Sequence, residues 1–162
     1  MQNKQKMKTH YSELLEDFLI KEGYQYFGNN EKSNFILEIQ GLNGSWKNNL
    51  SMDNCDGQII VRCISPIKVF PDKIHSMINL LCRINSEFIF GHYTIDFEDG
   101  EISLLMSMSL LDNNQPETHI RQLAFAAFKR FDKYLPAIMS VNYTDTHPLL
   151  IFIETHSKSI KL

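Results

Sequence analysis

The sequence predicts one α+β domain in which helices pack against an antiparallel sheet, in the order α-β-β-β-α-β-β-α. Three observations carry this prediction. Apolar residues recur at helical spacing in three segments, and they alternate with other residues in five shorter segments. Dipeptides typical of hairpin turns separate several of the shorter segments. The length of 162 residues fits a single domain that needs no disulfide or metal to fold.

Three segments are predicted to be helices. The first runs from about residue 9 to residue 22 and ends at Gly23. The second opens at Pro71, and the third starts near Pro116. Pro136 lies inside the third pattern, where it either kinks the helix or starts a new one. The apolar positions that define the three helices are Tyr11, Leu14, Leu15, Phe18 and Leu19, then Ile74, Met77, Ile78, Leu81, Ile84 and Phe88, then Ile120, Leu123, Ala124, Ala127, Phe131, Leu135 and Ile138.

Five segments are predicted to be strands, and residues 24–27 could add a short one before them. The apolar residues expected on the buried face of the sheet include Phe35, Leu37, Ile39, Trp46, Leu50, Met52, Tyr93, Ile95, Phe97, Ile102, Leu104, Met106, Met108 and Leu110. Residues 59–64 are apolar on both faces except for Arg62, and Asn48 interrupts the pattern of its strand. The antiparallel meander of the first three strands follows from their short connections.

Three turn signals join the strands: Asn43-Gly44, Asp56-Gly57 and Asp99-Gly100. Because Asn, Asp and Gly tolerate positive φ, each predicts a two-residue type I′ turn. Ser103, Ser107 and Ser109 fall opposite the apolar side of the last strand. That side of the sheet is therefore expected to be exposed or only lightly covered.

We expect residues 1–8 to be a disordered N-terminus, residues 9–143 to form the domain and residues 144–162 to be a C-terminal tail. The tail contains a strand-like apolar run at residues 148–153. Three roles are open for it: an added edge strand, a cover for apolar surface, or a contact with a second subunit. Ile36, Ile60, Ile64 and Leu105 lie on the face opposite the main core stripes, so either the tail or a second subunit is expected to cover them. A homodimer is the preferred alternative.

Composition excludes several classes of protein. The net charge of −3 and the pI of about 6.0 argue against a nucleic-acid binder, which needs an excess of cations. The longest apolar run, at residues 149–153, is too short to span a membrane, and the N-terminus lacks the pattern of a signal peptide. Three cysteines, Cys55, Cys63 and Cys82, cannot all pair. We therefore expect a cytoplasmic protein with reduced thiols and no membrane or nucleic-acid partner.

No residue pattern in the sequence indicates an enzymatic reaction. The six histidines are well separated, so the sequence predicts no metal site and no cofactor. The acidic cluster Glu98, Asp99 and Glu101 is interpreted as a solvated turn. His92 and Asp96 lie on the same strand face, within reach of serines on the next strand, but a flat sheet offers no oxyanion hole. The G-x-x-G sequence at residues 41–44 joins two strands, which favours a hairpin over a nucleic-acid clamp.

Several short sequences resemble the YbjN family. They are Ile84-Asn85 with the run FGHYTIDFEDGEI at residues 90–102, Tyr134-Leu-Pro-Ala137, and Gly44-Ser-Trp46. The resemblance covers about residues 9–141 and leaves the tail outside. That family consists of proposed bacterial sensory-transduction regulators whose fold resembles type III secretion chaperones. It carries no established catalytic or metal residues, so none is transferred to this chain.

The resemblance and the lack of a catalytic pattern together predict a non-enzymatic regulator or chaperone-like module. We expect it to act by protein–protein binding, as a homodimer with an unidentified protein partner. The alternative is a small-molecule-sensing domain with a pocket between helix and sheet. The sequence does not locate the partner-binding residues.

Overall fold

The computed structural model describes residues 2–29, 33–53, 57–111 and 114–157, so Cys55 and Asp56 lie outside the described residues. Within these ranges the chain forms four α-helices and six strands. The helices are α1 (Gln2–Lys21), α2 (Ile74–Ser86), α3 (Pro116–Tyr143) and α4 (Pro148–Ser157), and a short 3₁₀ helix at Pro71–Lys73 leads into α2. The strands are β1 (Tyr26–Asn29), β2 (Asn34–Gln40), β3 (Ser45–Asp53), β4 (Gln58–Lys68), β5 (His92–Ile95) and β6 (Glu101–Ser109).

The six strands form one antiparallel sheet in the order β1-β2-β3-β4-β6-β5. This arrangement confirms the predicted α+β class and the predicted succession of helices and strands. The short strand expected at residues 24–27 is also present, two residues further along, as β1. Strands β1 and β5 form the two edges of the sheet.

The core lies between one face of the sheet and the helices. Phe35, Leu37 and Ile39 are buried while Ile36 and Glu38 are exposed, as the alternation predicts. On β3, Asn48 is buried as well, and its side-chain oxygen accepts a hydrogen bond from the Trp46 indole N–H (3.2 Å). This bond satisfies the polar side chain that interrupts the apolar pattern.

The helices supply the other half of the core. Helix α1 contacts β3, α2 contacts β5, and α3 contacts β4 and β6. The buried side chains of α2 are Met77, Leu80, Leu81 and Ile84. Helix α3 runs unbroken through Pro136, so this proline does not start a new helix.

Asn142 ties the end of α3 to the sheet. Its buried side chain accepts a hydrogen bond from the Phe70 backbone N–H (3.0 Å) and donates one to the Lys68 carbonyl oxygen (3.1 Å). Nearby, the Lys73 ammonium group donates to the Thr144 carbonyl oxygen (2.9 Å) and pairs with the Asp145 carboxylate. These contacts fix α3 against the segment that joins β4 to α2.

The turns differ from the predicted type I′ geometry. The pairing of Gln40 with Ser45 leaves four residues in the β2–β3 loop, and Asp96 exchanges backbone hydrogen bonds with Gly100 and Glu101 at the end of β5. A type I′ turn needs positive φ at both central residues. Neither Asn43 nor Asp99 has one, so these two turn predictions are wrong in type although each hairpin exists. The Asp56-Gly57 turn lies partly outside the described residues.

Two predicted side-chain positions also change. Because β5 ends at Ile95, Phe97 falls in the loop and is exposed instead of joining the core. Ser103 is buried instead of exposed, because its hydroxyl contacts Arg62 and Thr94.

The two ends of the chain correct the expected domain boundaries. Helix α1 begins at Gln2, so residues 2–8 are helical and not disordered. The Gln, Lys and Met residues there favour a helix, and no glycine or proline interrupts the chain before Gly23.

The tail is also corrected, because its apolar run forms helix α4 and not an edge strand. Pro148 opens the helix, a position where proline's missing N–H costs nothing. Ile151 is buried where α4 packs on α2 and α3. The tail therefore covers its own chain, but it does so on the helical side of the molecule.

Candidate functional site

The sheet face opposite the helices, which we call the open face, carries the exposed apolar side chains of the sheet. The strand register aligns one residue from each strand in a row across this face. The row consists of Phe27, Ile36, Asn49, Arg62, Leu105 and His92. Phe27 is 83% exposed and Ile36 is 46% exposed. Exposed apolar side chains that lie next to one another, as Phe27 and Ile36 do, mark a candidate binding surface.

The neighbouring residues of the open face combine apolar and charged side chains. Ile60, Ile64 and Leu105 are half-buried, so the excess of apolar residues predicted for this face is confirmed. Glu38 and Lys47 lie opposite one another on β2 and β3. Neither forms an ion pair with any residue in the described ranges.

Arg62 holds the middle of the open face in place. Its guanidinium group donates hydrogen bonds to the Ser103 hydroxyl (3.1 Å) and to the Glu101 carboxylate (2.9 Å). The Ser103 hydroxyl also lies 2.9 Å from the Thr94 hydroxyl, which links β4, β6 and β5. This network fixes the polar half of the face, whereas no such network is found near Ile36 among the residues that the structure describes.

A groove of about 840 Å³ opens on the β1–β3 side of this face. It is lined by Tyr24, Phe27, Ile36, Lys47 and Ile64, among others. The groove arises because β1 pairs with β2 only over residues 34–37, so residues 38–40 of β2 pair with β3 on one side and have no described strand on the other. It is a surface groove and not an enclosed pocket.

Asn49 adds an unsatisfied polar atom between Ile36 and Arg62. Its side-chain oxygen is buried and has no hydrogen-bond donor among the described residues. Leaving a buried acceptor unpaired costs about 1–3 kcal/mol.

The acidic cluster lies on the β5–β6 loop, beside the open face. Glu98 and Asp99 are exposed, as predicted. A hydrogen bond from the Lys68 ammonium group, together with one from the Glu101 backbone N–H, lowers the pKa of the Asp99 carboxyl group. Glu101 is half-buried because it pairs with Arg62. Two members of the cluster thus form ion pairs with β4: Asp99 with Lys68, and Glu101 with Arg62.

The serine, histidine and aspartate positions considered from the sequence do not come together. His92 lies opposite Leu105, and its imidazole makes no hydrogen bond with any residue that the structure describes. Asp96 accepts a hydrogen bond from the Glu98 backbone N–H, and Ser103 is held by Arg62 and Thr94. No group of three or more His, Cys, Asp or Glu side chains gathers in the described part of the chain to hold a metal.

Two other positions follow the sequence interpretation. Residues 41–44 form the β2–β3 hairpin loop, and the Asp132 carboxylate of α3 accepts a hydrogen bond from the Asn43 backbone N–H (2.8 Å). Cys63 is buried in the core, and that burial raises the pKa of its thiol. Cys82 on α2 is exposed.

Comparison with known proteins identifies the fold. No protein-family model matches the chain, and no curated protein is significantly similar to it. The crystal structure of YbjN, a proposed transcription regulator from E. coli, superposes with a TM-score of 0.54 at 14% identity, over 74% of this chain and 87% of YbjN. The fold is YbjN-like. One chain of the ExsC–ExsE complex superposes with a TM-score of 0.56 at 11% identity, over 77% of this chain and 90% of that chain.

These matches confirm the YbjN-like, secretion-chaperone-like fold that the sequence predicts. At such low identity they establish the fold alone, so the binding surface must be argued from this chain's own residues. No helix in the described ranges is both long enough and apolar enough to cross a membrane.

The open face was only partly visible in the sequence. The apolar excess at Ile36 and Leu105 was a usable signal, because it broke the expected polar side of the sheet. Phe27 was not found, since its four-residue strand is too short to show a period. The unpaired charges of Glu38 and Lys47 also required the register, which sequence alone does not give.

Proposed function

We propose that this chain is a non-enzymatic, cytoplasmic regulator or chaperone-like module that binds protein through its open face and works as a homodimer. The exposure of Phe27 and Ile36 side by side on that face carries the proposal. A protein that covers them removes a contiguous apolar surface from water.

The energetic gain is sufficient for a binding centre. Fully burying a Phe or Ile side chain is worth about 1.5–3 kcal/mol. Phe27 is almost fully exposed and Ile36 is about half exposed, so covering both contributes about 2–4 kcal/mol. Arg62 and the hydroxyl groups around it provide a polar surround, which is the common layout of a protein interface.

The structural neighbours support a protein-binding role. One is a proposed transcription regulator, and the other was solved as a complex named for two components, ExsC and ExsE. Neither likeness identifies the partner of this chain.

A small-molecule sensor is the second candidate, and the groove on the open face is the observation that favours it. Its volume of about 840 Å³ lies in the range of ligand pockets. Ligand pockets usually bury most of their ligand, however, and this groove is open along the sheet. It also lies on the opposite side of the sheet from the expected position between helix and sheet. A protein segment fits an open groove better than a small molecule does.

Affinity capture from native lysate tests the proposal. The full chain should retain a second protein in stoichiometric amount, and Ile36→Lys should lose it because a charge then enters the apolar row. Ile153→Lys is the matched control, because Ile153 on α4 is 49% exposed and far from the sheet in the fold. The proposal fails if no protein is retained stoichiometrically, or if both variants lose it equally.

A further inference from the structure

We propose that a second surface of the chain binds an arginine-rich segment of a partner protein. It lies where the segment after β4, the β5–β6 loop and the end of α3 meet. We call it the aromatic–acidic surface, and it consists of Phe70, Tyr143, Asp72, Asp96 and Glu98. None of these residues belongs to the open face, so this surface is additional to the binding role proposed there.

Backbone contacts fix the parts of the aromatic–acidic surface against one another. The Val69 N–H donates to the Gly100 carbonyl oxygen (2.9 Å), which joins the segment after β4 to the β5–β6 loop. The buried side chain of Asn142 accepts a hydrogen bond from the Phe70 N–H (3.0 Å), which joins the same segment to α3 next to Tyr143. Binding to a surface that is already ordered loses less conformational entropy than binding to a mobile one.

Phe70 and Tyr143 form an aromatic pair that stays open to solvent. Their ring centroids are 5.5 Å apart and their planes lie at 82°, which is an edge-to-face contact. Phe70 is 44% exposed and Tyr143 is 57% exposed. The Tyr143 hydroxyl group forms no hydrogen bond with any residue in the described ranges. The two rings are therefore held together at the surface, and ring area remains for a ligand to stack on.

The charge around the aromatic pair is acidic. The three cations of this region each pair with a carboxylate: Lys68 with Asp99, Lys73 with Asp145 and Arg62 with Glu101. Asp72, Asp96 and Glu98 are exposed and form no ion pair with any residue that the structure describes. These three excess carboxylates equal the net charge of −3 of the whole chain, so the charges elsewhere in the sequence balance.

An arginine side chain is complementary to both features of this surface. Its guanidinium group stacks on aromatic rings and forms paired hydrogen bonds with carboxylates. A lysine ammonium group supplies the charge but no plane to stack. Nucleic acids and anionic membranes carry the same sign of charge as the surface and are repelled by it. An apolar segment would cover the rings but bring no cation to the carboxylates. The ligand that fits is therefore a protein segment with several arginines.

Fluorescence anisotropy with a labelled hexa-arginine peptide tests the aromatic part of this surface on the full chain. The peptide should bind saturably, and Tyr143→Ser should weaken binding about fivefold, because one cation–π contact contributes about 1 kcal/mol. Tyr143→Phe keeps the ring and should bind as the unaltered chain does. Phe90→Ser is the matched control, since it removes an exposed ring beyond the other end of α2, and it should leave the Kd unchanged. A hexalysine peptide of the same charge should bind more weakly than hexa-arginine.

Charge reversal tests the acidic part. Glu98→Lys and Glu13→Lys both change the net charge from −3 to −1, so the general attraction of a cationic peptide falls equally in both variants. Glu13 is exposed on α1, which supplies no residue of this surface. Glu98→Lys should bind hexa-arginine about fivefold more weakly than Glu13→Lys, because a charge pair in contact at the surface contributes about 1 kcal/mol.

Circular dichroism and thermal unfolding establish that each variant is folded. Four results would overturn the inference: no saturable binding of hexa-arginine, unchanged binding in Tyr143→Ser, equal binding by Glu98→Lys and Glu13→Lys, or hexalysine that binds as tightly as hexa-arginine. Because the two surfaces share no residue, each of these results leaves the proposed role of the open face standing.

Discussion

Gly23 and Gly100 have almost the same positive φ but different surroundings. Substituting each by alanine therefore distinguishes the energetic cost of a positive φ from the cost of a steric collision. Gly100 has a φ of +76°, and Gly23 has a φ of +74°. A Cβ at position 100 would lie 2.7 Å from the Val69 carbonyl oxygen, whereas a Cβ at position 23 would meet nothing within 4 Å. Alanine at either position pays for positive φ, but only alanine at 100 also collides with backbone.

The magnitude follows from these two terms. A left-handed conformation costs an L-residue about 1–2 kcal/mol. Relieving the collision at 100 displaces Val69, whose N–H donates to the Gly100 carbonyl oxygen at 2.9 Å, a bond worth about 0.5–1.5 kcal/mol net. We expect Gly23→Ala to lower the free energy of unfolding by about 1–2 kcal/mol and Gly100→Ala by about 1.5–3.5 kcal/mol.

Urea denaturation followed by circular dichroism measures both values. With an m-value of about 2 kcal/mol per molar urea, the midpoint for Gly100→Ala should lie about 0.25–0.75 M below that for Gly23→Ala. The m-value should not change, because neither variant alters the surface exposed on unfolding. Equal midpoint shifts for the two variants would refute the Val69 contact as a cause of the glycine requirement.

Three further predictions use the same fold. Asn142→Ala leaves the Phe70 N–H and the Lys68 carbonyl oxygen without partners. It should therefore lower the free energy of unfolding, measured in urea, by about 2–4 kcal/mol. A decrease below about 0.5 kcal/mol would show that water replaces the side chain. The Asp99 carboxyl group should titrate by NMR below the ordinary pKa of about 3.9, and Lys68→Met should raise that pKa. The stabilisation from Asp99 should be present above pH 4 and be lost as the pH falls through the lowered pKa of its carboxyl group. Salt should weaken this stabilisation. An unchanged Asp99 titration in Lys68→Met would exclude the ion pair. Deleting residues 146–162 should expose the apolar surfaces of α2 and α3 and increase dye binding and aggregation; a clean shift from dimer to monomer would instead show that the tail bridges subunits.

Periodic segments explain why most of the fold could be predicted from the sequence. On β2, the alternation of Phe35, Leu37 and Ile39 with Ile36 and Glu38 determines which face is buried, and the structure agrees. Helix α2 likewise follows its apolar stripe, because one face must pack on the sheet. In both elements the local pattern and the tertiary burial select the same structure.

Helix α4 shows where that reasoning stops. Ile151 is buried, whereas Leu149, Leu150 and Ile153 are exposed. Apolar residues therefore lie on all sides of the helix, and the sequence shows no helical periodicity there. Pro148 is a sequence signal for the start of a helix, whereas the run of apolar residues after it is typical of a strand.

The candidate site depended on information that the sequence does not contain. Ile36 could be assigned to the second face from its alternation alone. Its contact row with Phe27 and Arg62 required the register across three strand pairs. The type of each turn depends on the length of its loop, and this length depends on where the strand pairing ends. The β5–β6 pairing ends at Ile95, which the sequence does not show.

Photo-cross-linking tests the protein-binding role of the open face most directly. Benzoylphenylalanine introduced at Phe27 places the probe on the open face, and the same probe at Leu150, which is also exposed, places it on α4 on the helical side of the molecule. On irradiation in native cells, the probe at position 27 should form adducts with protein, either a second copy or a different partner, and the probe at position 150 should not. Adducts that form equally at both positions, or only at position 150, would contradict the open face as the binding surface.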